Sequence, residues 1–550
     1  MNEYIVTCKS MDDLDSLYDD METVGGSLYI PDRAVDLVNR RTISRNTHYM
    51  LTESEAEQIK NDSRVLACER TPADLGIKFE RSWKQTGDFD KTAYGSGSQN
   101  DDKNWGLYRI NKGATVSNWG LDGTPEISNR DLHTTWSGKN VDVVIVDSHL
   151  NVNHPEFAVN VDGSGGTRVV SYNWFQHKNS LGYSGHPTNY TYSSTNSSHG
   201  THVAGTACGN TQGWARDANI YNLDFLTPNQ GISGFELFVL DYVRAFHNNK
   251  SINSSTGRKN PTVCNNSWGS FSINGFFVDS YSAINYRGTT TTYSTEPPPT
   301  RQASYEARGV PCAGLVVPPI PARVPALDVD VQDCINDGII MVGAAGNYYF
   351  NCEESGGVDY NNTITKDGIT YYHSRGSSPS AASNCICVGN IDSRVSEHKS
   401  ATSQWGGRVD VWAPGSNIMS ASYTQFIDYY DTIADPRNGS YFFTRASGTS
   451  MASPQVTGLL ACLCEQEPNL TQAEALQYIK ESALPDVADN GNNPNQSSHI
   501  GFGDSNNRYL FDKRKRPTDG MAHPAVLHKN RNTTTAGVKY PRVRNNRTTK

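Results

Sequence analysis

No run of about 18 apolar residues occurs anywhere in the 550-residue chain, which excludes a membrane-spanning helix. The start, Met1-Asn2-Glu3-Tyr4, has no basic region followed by an apolar one, so the expectation is an intracellular or particle-associated protein that is not Sec-secreted. Asn- and Tyr-rich loops would suit a phage virion. Zinc-type cysteine spacing is missing too. The eleven cysteines are scattered from Cys8 to Cys464, with only Cys385/Cys387 and Cys462/Cys464 close together, and read as mostly reduced, buried small hydrophobes. Charged residues are sparse at 19%, whereas 28 Tyr, 17 Phe and 9 Trp are available for cores, which argues against a disordered chain. The length exceeds what one compact core holds, so two or three units are expected. Eleven of the 48 Lys and Arg but only two of the 57 acids fall in Phe511–Lys550, so a basic tail at +9 follows a body at −18. Aromatic interleaving is absent from that tail, which reads as solvated and disordered rather than as a specific nucleic-acid binder.

The first 75 residues read as a small α+β unit of β-α-β-β-α-β order, ferredoxin-like. The expected elements are strand Tyr4–Cys8, helix Met11–Met21, strands Ser27–Ile30 and Thr42–Leu51, helix Glu53–Asn61 and strand Val65–Glu69. Thr52 with Glu55 forms a capping box that opens the second helix. Residues 76–104 turn polar and read as a linker, with a processing site in the Gly- and Ser-rich stretch ahead of Asn104.

Three later segments carry chemistry. Val141–Val146 is a β-branched run expected to be a buried parallel strand, and Asp147 stands at its carboxyl end, where open α/β sheets gather their chemistry. A lone Asp there is more often a turn or cap. Ser198-His199-Gly200-Thr201-His202 places an imidazole in the first turn of a helix of small residues. His199 suits a general base, and His202 reads as structural. Gly448-Thr449-Ser450-Met451-Ala452-Ser453-Pro454 leads into an apolar helix whose amino end would favour a developing oxyanion beside the Ser450 hydroxyl.

Together these segments resemble the motifs of the subtilase family, in the chain order Asp, His, Ser. The resemblance spans about Trp105 to Leu510. It implies an α/β fold with a mostly parallel sheet and helices on both faces, preceded by a ferredoxin-like prodomain. It also implies a serine endopeptidase acting on polypeptides, in which Asp147 orients His199, His199 takes the proton and Ser450 attacks. By the same resemblance Asn347, ending Ala344-Ala345-Gly346-Asn347, is the oxyanion donor. Ser267, Trp268 and Gly269 would line the specificity pocket opposite Ala345 and Gly346. Ser233 and Gly234 would lie on a strand that pairs with substrate, and the segment after Glu69 would enter the cleft beside them, making the prodomain a partner of its own enzyme and a substrate for self-processing. No cofactor is required by this chemistry. The stretch Gly205–Gly213 is too short for the calcium loop of many relatives, and other structural calcium sites stay open.

The sequence departs from the family in two insertions, 286–328 and 348–378, read as surface decoration, a lid, or docking sites for a larger assembly. His149 stands where Gly is usual and would be strained if that position were left-handed. Gln455 replaces a usual His. A proteolytically silent assembly component is the alternative from another class, opposed by the intact Asp147, His199, Ser450 and Asn347.

Overall fold

The computed structural model describes residues 2–30, 45–70, 77–81, 104–113, 136–192, 197–226, 231–272, 275–393, 397–423, 432–487 and 505–514, without the side chains of 77–81, Lys112 and Ser272. A six-stranded sheet forms its centre, in the spatial order Val411–Pro414, Ile386–Ile391, Ile340–Ala344, Thr262–Asn266, Asp142–Asp147, Asn219–Asp224. Every neighbouring pair is parallel. Strands buried on both faces must be apolar throughout, and Val143 to Val146 are all fully buried. Helices Ser198–Cys208 and Thr449–Gln466 pack into the cluster on one face, and helices Val239–Asn249 and Pro325–Asn336 into the cluster on the other. The chain is thus α/β, as the sequence implies. Among the described residues no helix is long and apolar enough to cross a membrane.

The amino-terminal unit is a three-stranded antiparallel sheet, with Asn2–Cys8 between Asn46–Leu51 and Val65–Arg70, covered by helices Leu14–Glu22 and Glu53–Lys60. The Thr52/Glu55 capping box is present, Thr52 N donating to Glu55 Oε2 at 2.8 Å. Ser27–Ile30 is not the expected strand. Gly25, at φ +93°, turns the chain back, and Ile30 N donates to Met21 O at 2.7 Å, so this stretch caps the helix while Leu28 and Ile30 fill the core beneath it. The expected start of the next strand at Thr42 lies outside the described residues.

This unit sits on the two helices Val239–Asn249 and Pro325–Asn336. Asn46 Nδ2 donates to Ala326 O and Asp330 Oδ1, each at 3.1 Å; Arg45 pairs with Asp333 at 3.0 Å; the His48 ring stacks on Phe238; and Glu69 Oε1 accepts from Ala326 N at 3.2 Å. Removal from water at this interface pushes the Glu69 carboxyl up to about 8, against the opposing pull of that amide. Within the stretch read as linker, Ile77–Arg81 is a strand, antiparallel to Trp268–Ser272. The expected processing stretch, Tyr94–Asn104, lies outside the described residues except for Asn104.

The two insertions merge into one layer. Strands Ala283–Tyr286, Thr289–Thr292, Thr363–Lys366 and Ile369–Tyr372 form a four-stranded antiparallel sheet in which Ile284 faces Ile364 across the join. Val278, Tyr281, Tyr305, Ile320 and Phe350 give it a separate core. The first insertion therefore begins before 286, and its last residues, from Pro325, already form the first turn of a helix of the main body. At the other end, Phe511–Arg514 is part of the packed body rather than of a disordered tail. Asp512 N donates to Ile110 O at 3.0 Å, and buried Arg514 pairs with Asp512 at 2.7 Å. Residues 515–550 lie outside the described set.

Candidate active site

Asp147 ends its central strand fully buried. Its Oδ1 accepts from Ser148 N at 2.7 Å and Ser148 Oγ at 3.0 Å, and lies 2.8 Å from His199 Nδ1. An ionised carboxylate only accepts, so this contact puts the ring proton on Nδ1 and leaves Nε2 as the basic nitrogen. His199 stands in the first turn of Ser198–Cys208, capped by Ser197. That helix lies against the serine-bearing helix because Gly458 has no side chain: a Cβ there would come within 2.4 Å of Ala207 O.

Ser450 is the second residue of the helix Thr449–Gln466. Gly448 precedes it at φ 151° and ψ 166°, a region open to glycine almost alone, which lets an extended strand turn abruptly into a helix. Ser450 Oγ makes a long contact of 3.3 Å to Ser267 O, while Ser267 Oγ donates to Ser450 O at 3.0 Å. Asn265 fixes the same helix from below, its Oδ1 accepting from Ser453 Oγ and Thr457 Oγ1 at 2.9 Å each.

Asn347 is joined directly to the start of this helix. Its Oδ1 accepts from Thr449 N at 2.9 Å and Thr449 Oγ1 at 3.0 Å, which orients the amide. Its Nδ2 is buried and donates to no acceptor among the described residues. A buried donor left unpaired costs about 1–3 kcal/mol, a cost that an incoming acceptor would relieve. Thr449, which sets this orientation, carried a signal in the sequence only as the middle residue of Gly-Thr-Ser.

Ser267, bonded to Ser450, leads into the strand Trp268–Ser272, which carries Trp268 and Gly269, and Ala345 and Gly346 lead into Asn347. Gly346 has φ +113°, and a Cβ on it would lie 2.4 Å from Gln404 Nε2. Ser233 and Gly234 do not lie on a strand. Gly231 and Gly234 are left-handed, at φ +66° and +67°, and Gly234 starts a 3₁₀ turn at Phe235–Leu237. The strand Ile77–Arg81 accordingly pairs with Trp268–Ser272, a partner the sequence reading did not name.

The remaining polar residues are structural ties. His202 Nε2 reaches Ile418 O at 2.9 Å and Thr444 O at 3.2 Å, and burial lowers its pKa to about 4. His149 is not among the residues at positive φ; its ring meets Asn222 Oδ1 at 3.3 Å. Gln455 bridges Trp214 Nε1 and Asn104 Oδ1 at 2.9 and 3.0 Å. Among the described residues no three His, Cys, Asp or Glu side chains converge as a metal site.

Known proteins match this chain. The family model described as the subtilase family covers residues 138–503. Alkaline protease 1 of Emericella nidulans is 26% identical over 68% of this chain and 64% of its own length. The extracellular serine proteinase of Thermus sp. (strain Rt41A) is 25% identical over 68% of this chain and 63% of its own. The chain thus spans a little under two thirds of the length of these relatives. A cold-adapted subtilisin-like serine proteinase of known structure is 23% identical, covering 74% of this chain and 97% of that one, with a TM-score of 0.41. These relatives overturn the expectation of an intracellular or particle-associated protein: one carries an extracellular name, so the polar start at Met1 is no guide to where such a chain resides.

Proposed function

We propose that this chain, which belongs to the subtilase family, is a serine endopeptidase that cleaves polypeptides through an acyl-enzyme. The observation that carries this is the arrangement around one helix start: Ser450 in its first turn, His199 on the adjoining helix 2.8 Å from Asp147 at the end of a central strand, and Asn347, whose Oδ1 is anchored to Thr449 and whose Nδ2 is unengaged. His199 Nε2 takes the Ser450 proton as Oγ attacks the scissile carbonyl, and Asp147 stabilises the imidazolium. The amide of Asn347 donates to the oxyanion as it forms. His199 then returns the proton to the leaving amine, and water hydrolyses the ester by the same route. An internally quenched peptide, with the products mapped by mass, tests the reading. Cleavage at internal bonds is expected; no hydrolysis by wild type would leave the silent-scaffold alternative standing. Asn347→Ala should lower kcat by about 10²–10³ with KM little changed, because the amide gains its partner only as the oxyanion develops.

In the same reading the amino-terminal unit is a tethered inhibitor. Ile77–Arg81 adds a strand to Trp268–Ser272 as a substrate would, and the docked unit raises its effective concentration. Its grip should depend on pH through Glu69. The docked pKa of about 8 lies above the ordinary 4.5, so the docked state holds more protons between those values and binding weakens as pH rises through that window. The limit is about tenfold per pH unit. Ser450→Ala protein nicked between residues 82 and 103 should keep its amino-terminal fragment at pH 5 and release it more readily at pH 8.5, on size-exclusion chromatography. Glu69→Gln should flatten the difference.

A further inference from the structure

Asn347 stands between two positions of unusual backbone: Gly346 at φ +113°, and Tyr349, which is left-handed at φ +67° without being glycine. Where its amide points therefore depends on what holds these neighbours. Gly346 N donates to Thr449 Oγ1 at 3.1 Å, and Gly346 O accepts from Gln404 N at 2.8 Å. Tyr349 N donates to Thr402 O at 3.0 Å, and Tyr349 O accepts from Trp405 Nε1 at 2.9 Å. The segment Thr402–Trp405 thus grips the chain on both sides of Asn347.

The turn that leads into this segment is folded around one buried cation. Lys399 is fully buried, and its Nζ donates to Ser400 O at 2.8 Å and to Ala401 O and Ser403 O at 3.2 Å each. Only a charged amine has three hydrogens to give. Burial pulls its pKa down to about 7 against the attraction of Asp392, while three carbonyl acceptors favour the charged form. Of the four successive carbonyls from Ser400 to Ser403, three meet this ammonium; the fourth, Thr402 O, is the one that accepts from Tyr349 N. The turn is also fastened to the central strand Ile386–Ile391, Ser400 N donating to Asn390 O at 2.8 Å and Asn390 N to Ser403 Oγ at 3.1 Å. We infer that Lys399 is a positioning residue for catalysis: its ammonium draws the Ser400–Ser403 turn into the shape that holds Gly346 and Tyr349, and through them the amide of Asn347, at the place where the oxyanion forms. The inference rests on the proposed role of Asn347 as oxyanion donor. Without the ammonium, three carbonyl dipoles that converge on one point repel one another. The turn then opens, and Thr402 O and Gln404 N draw away from the backbone they hold.

The test is a double-variant cycle on the quenched peptide, with every rate expressed per Ser450 that a fluorophosphonate labels. Lys399→Met should lower kcat by about 10- to 10²-fold with KM within about twofold, because a misplaced donor is missed only as the oxyanion develops. In an Asn347→Ala background the same substitution should have almost no further effect, since the group it positions is already gone. A purely structural tie would lower kcat equally in both backgrounds, and that result would overturn the inference, as would a kcat changed by less than about twofold in Lys399→Met. Lys399→Gln, whose amide supplies two of the three hydrogens, should fall between wild type and Lys399→Met, and it carries the same cycle if Lys399→Met does not fold. Failure of both variants to fold, judged by circular dichroism, would overturn the inference too, since Lys399 would then hold the whole body rather than one turn. Absence of hydrolysis by wild type would end the reading on which the inference rests, whereas an active wild type with an unchanged Lys399→Met would end the inference alone.

Discussion

Ser450→Ala should leave a folded protein that no longer hydrolyses peptide bonds, with kcat down by about 10⁶, the order found when a subtilisin loses its nucleophile. The fold should survive because the bond from Ser450 Oγ to Ser267 O is long, at 3.3 Å, and a methyl group fits wherever that hydroxyl does. Its loss should cost no more than about 1 kcal/mol. The same substitution should also keep the chain full length, while wild type is trimmed within residues 82–103. Asn104 narrows the position. Its N donates to Gln212 Oε1 at 2.6 Å, and its side chain both caps the helix Trp105–Lys112 and accepts from Gln455, so the enzyme body starts no later than Asn104. Intact-mass and amino-terminal determination on both proteins checks this. Trimming of wild type and Ser450→Ala alike would assign the cut to another protease.

Asp147→Asn should lower kcat by about 10⁴ at neutral pH with KM nearly unchanged. Asp147 Oδ1 accepts simultaneously from Ser148 N, Ser148 Oγ and His199 Nδ1. An amide can keep its oxygen toward these donors only by placing its NH₂ where the second carboxylate oxygen was, and it no longer carries the charge that stabilises the imidazolium. If it turns its NH₂ toward His199, the ring takes the wrong tautomer. Steady-state kinetics on the quenched peptide measures the loss, and a decrease below tenfold would remove Asp147 from the mechanism.

The sequence was most legible where chemistry and local geometry coincide. The Asp147, His199 and Ser450 segments each need a particular backbone at one place, a strand end or a helix start, and small residues to let the helices close. Those constraints are written in consecutive letters. Asn347 could be named only through the family, since an Asn after Gly is otherwise a turn residue; what sets it apart is an unpaired amide anchored to Thr449, about a hundred residues away. Non-local pairing was the main thing hidden. Nothing local in Ile77-Lys78-Phe79-Glu80-Arg81 says that it adds to Trp268–Ser272, and the join of Ile284 to Ile364 that fuses two insertions is equally remote. Glycine misled twice in the same way: around Ser27–Ile30 and at Gly231–Gly234, positive φ angles bend backbone that hydrophobicity or family likeness would make extended. The Lys513–Arg516 run read as solvated because its charges were counted singly, whereas Arg514 is buried against Asp512 and beneath Trp136.

The most direct test of the central claim is active-site labelling. Wild-type protein, freed of its amino-terminal unit, is treated with a serine-directed fluorophosphonate and digested, and the modified residue is located by tandem mass spectrometry. The expected result is one phosphonyl group per chain, on Ser450, formed at a rate that collapses in His199→Ala, together with complete loss of peptide hydrolysis. Peptide hydrolysis that persists in fully treated protein, or a label found on another residue while Ser450 stays unmodified, would contradict it.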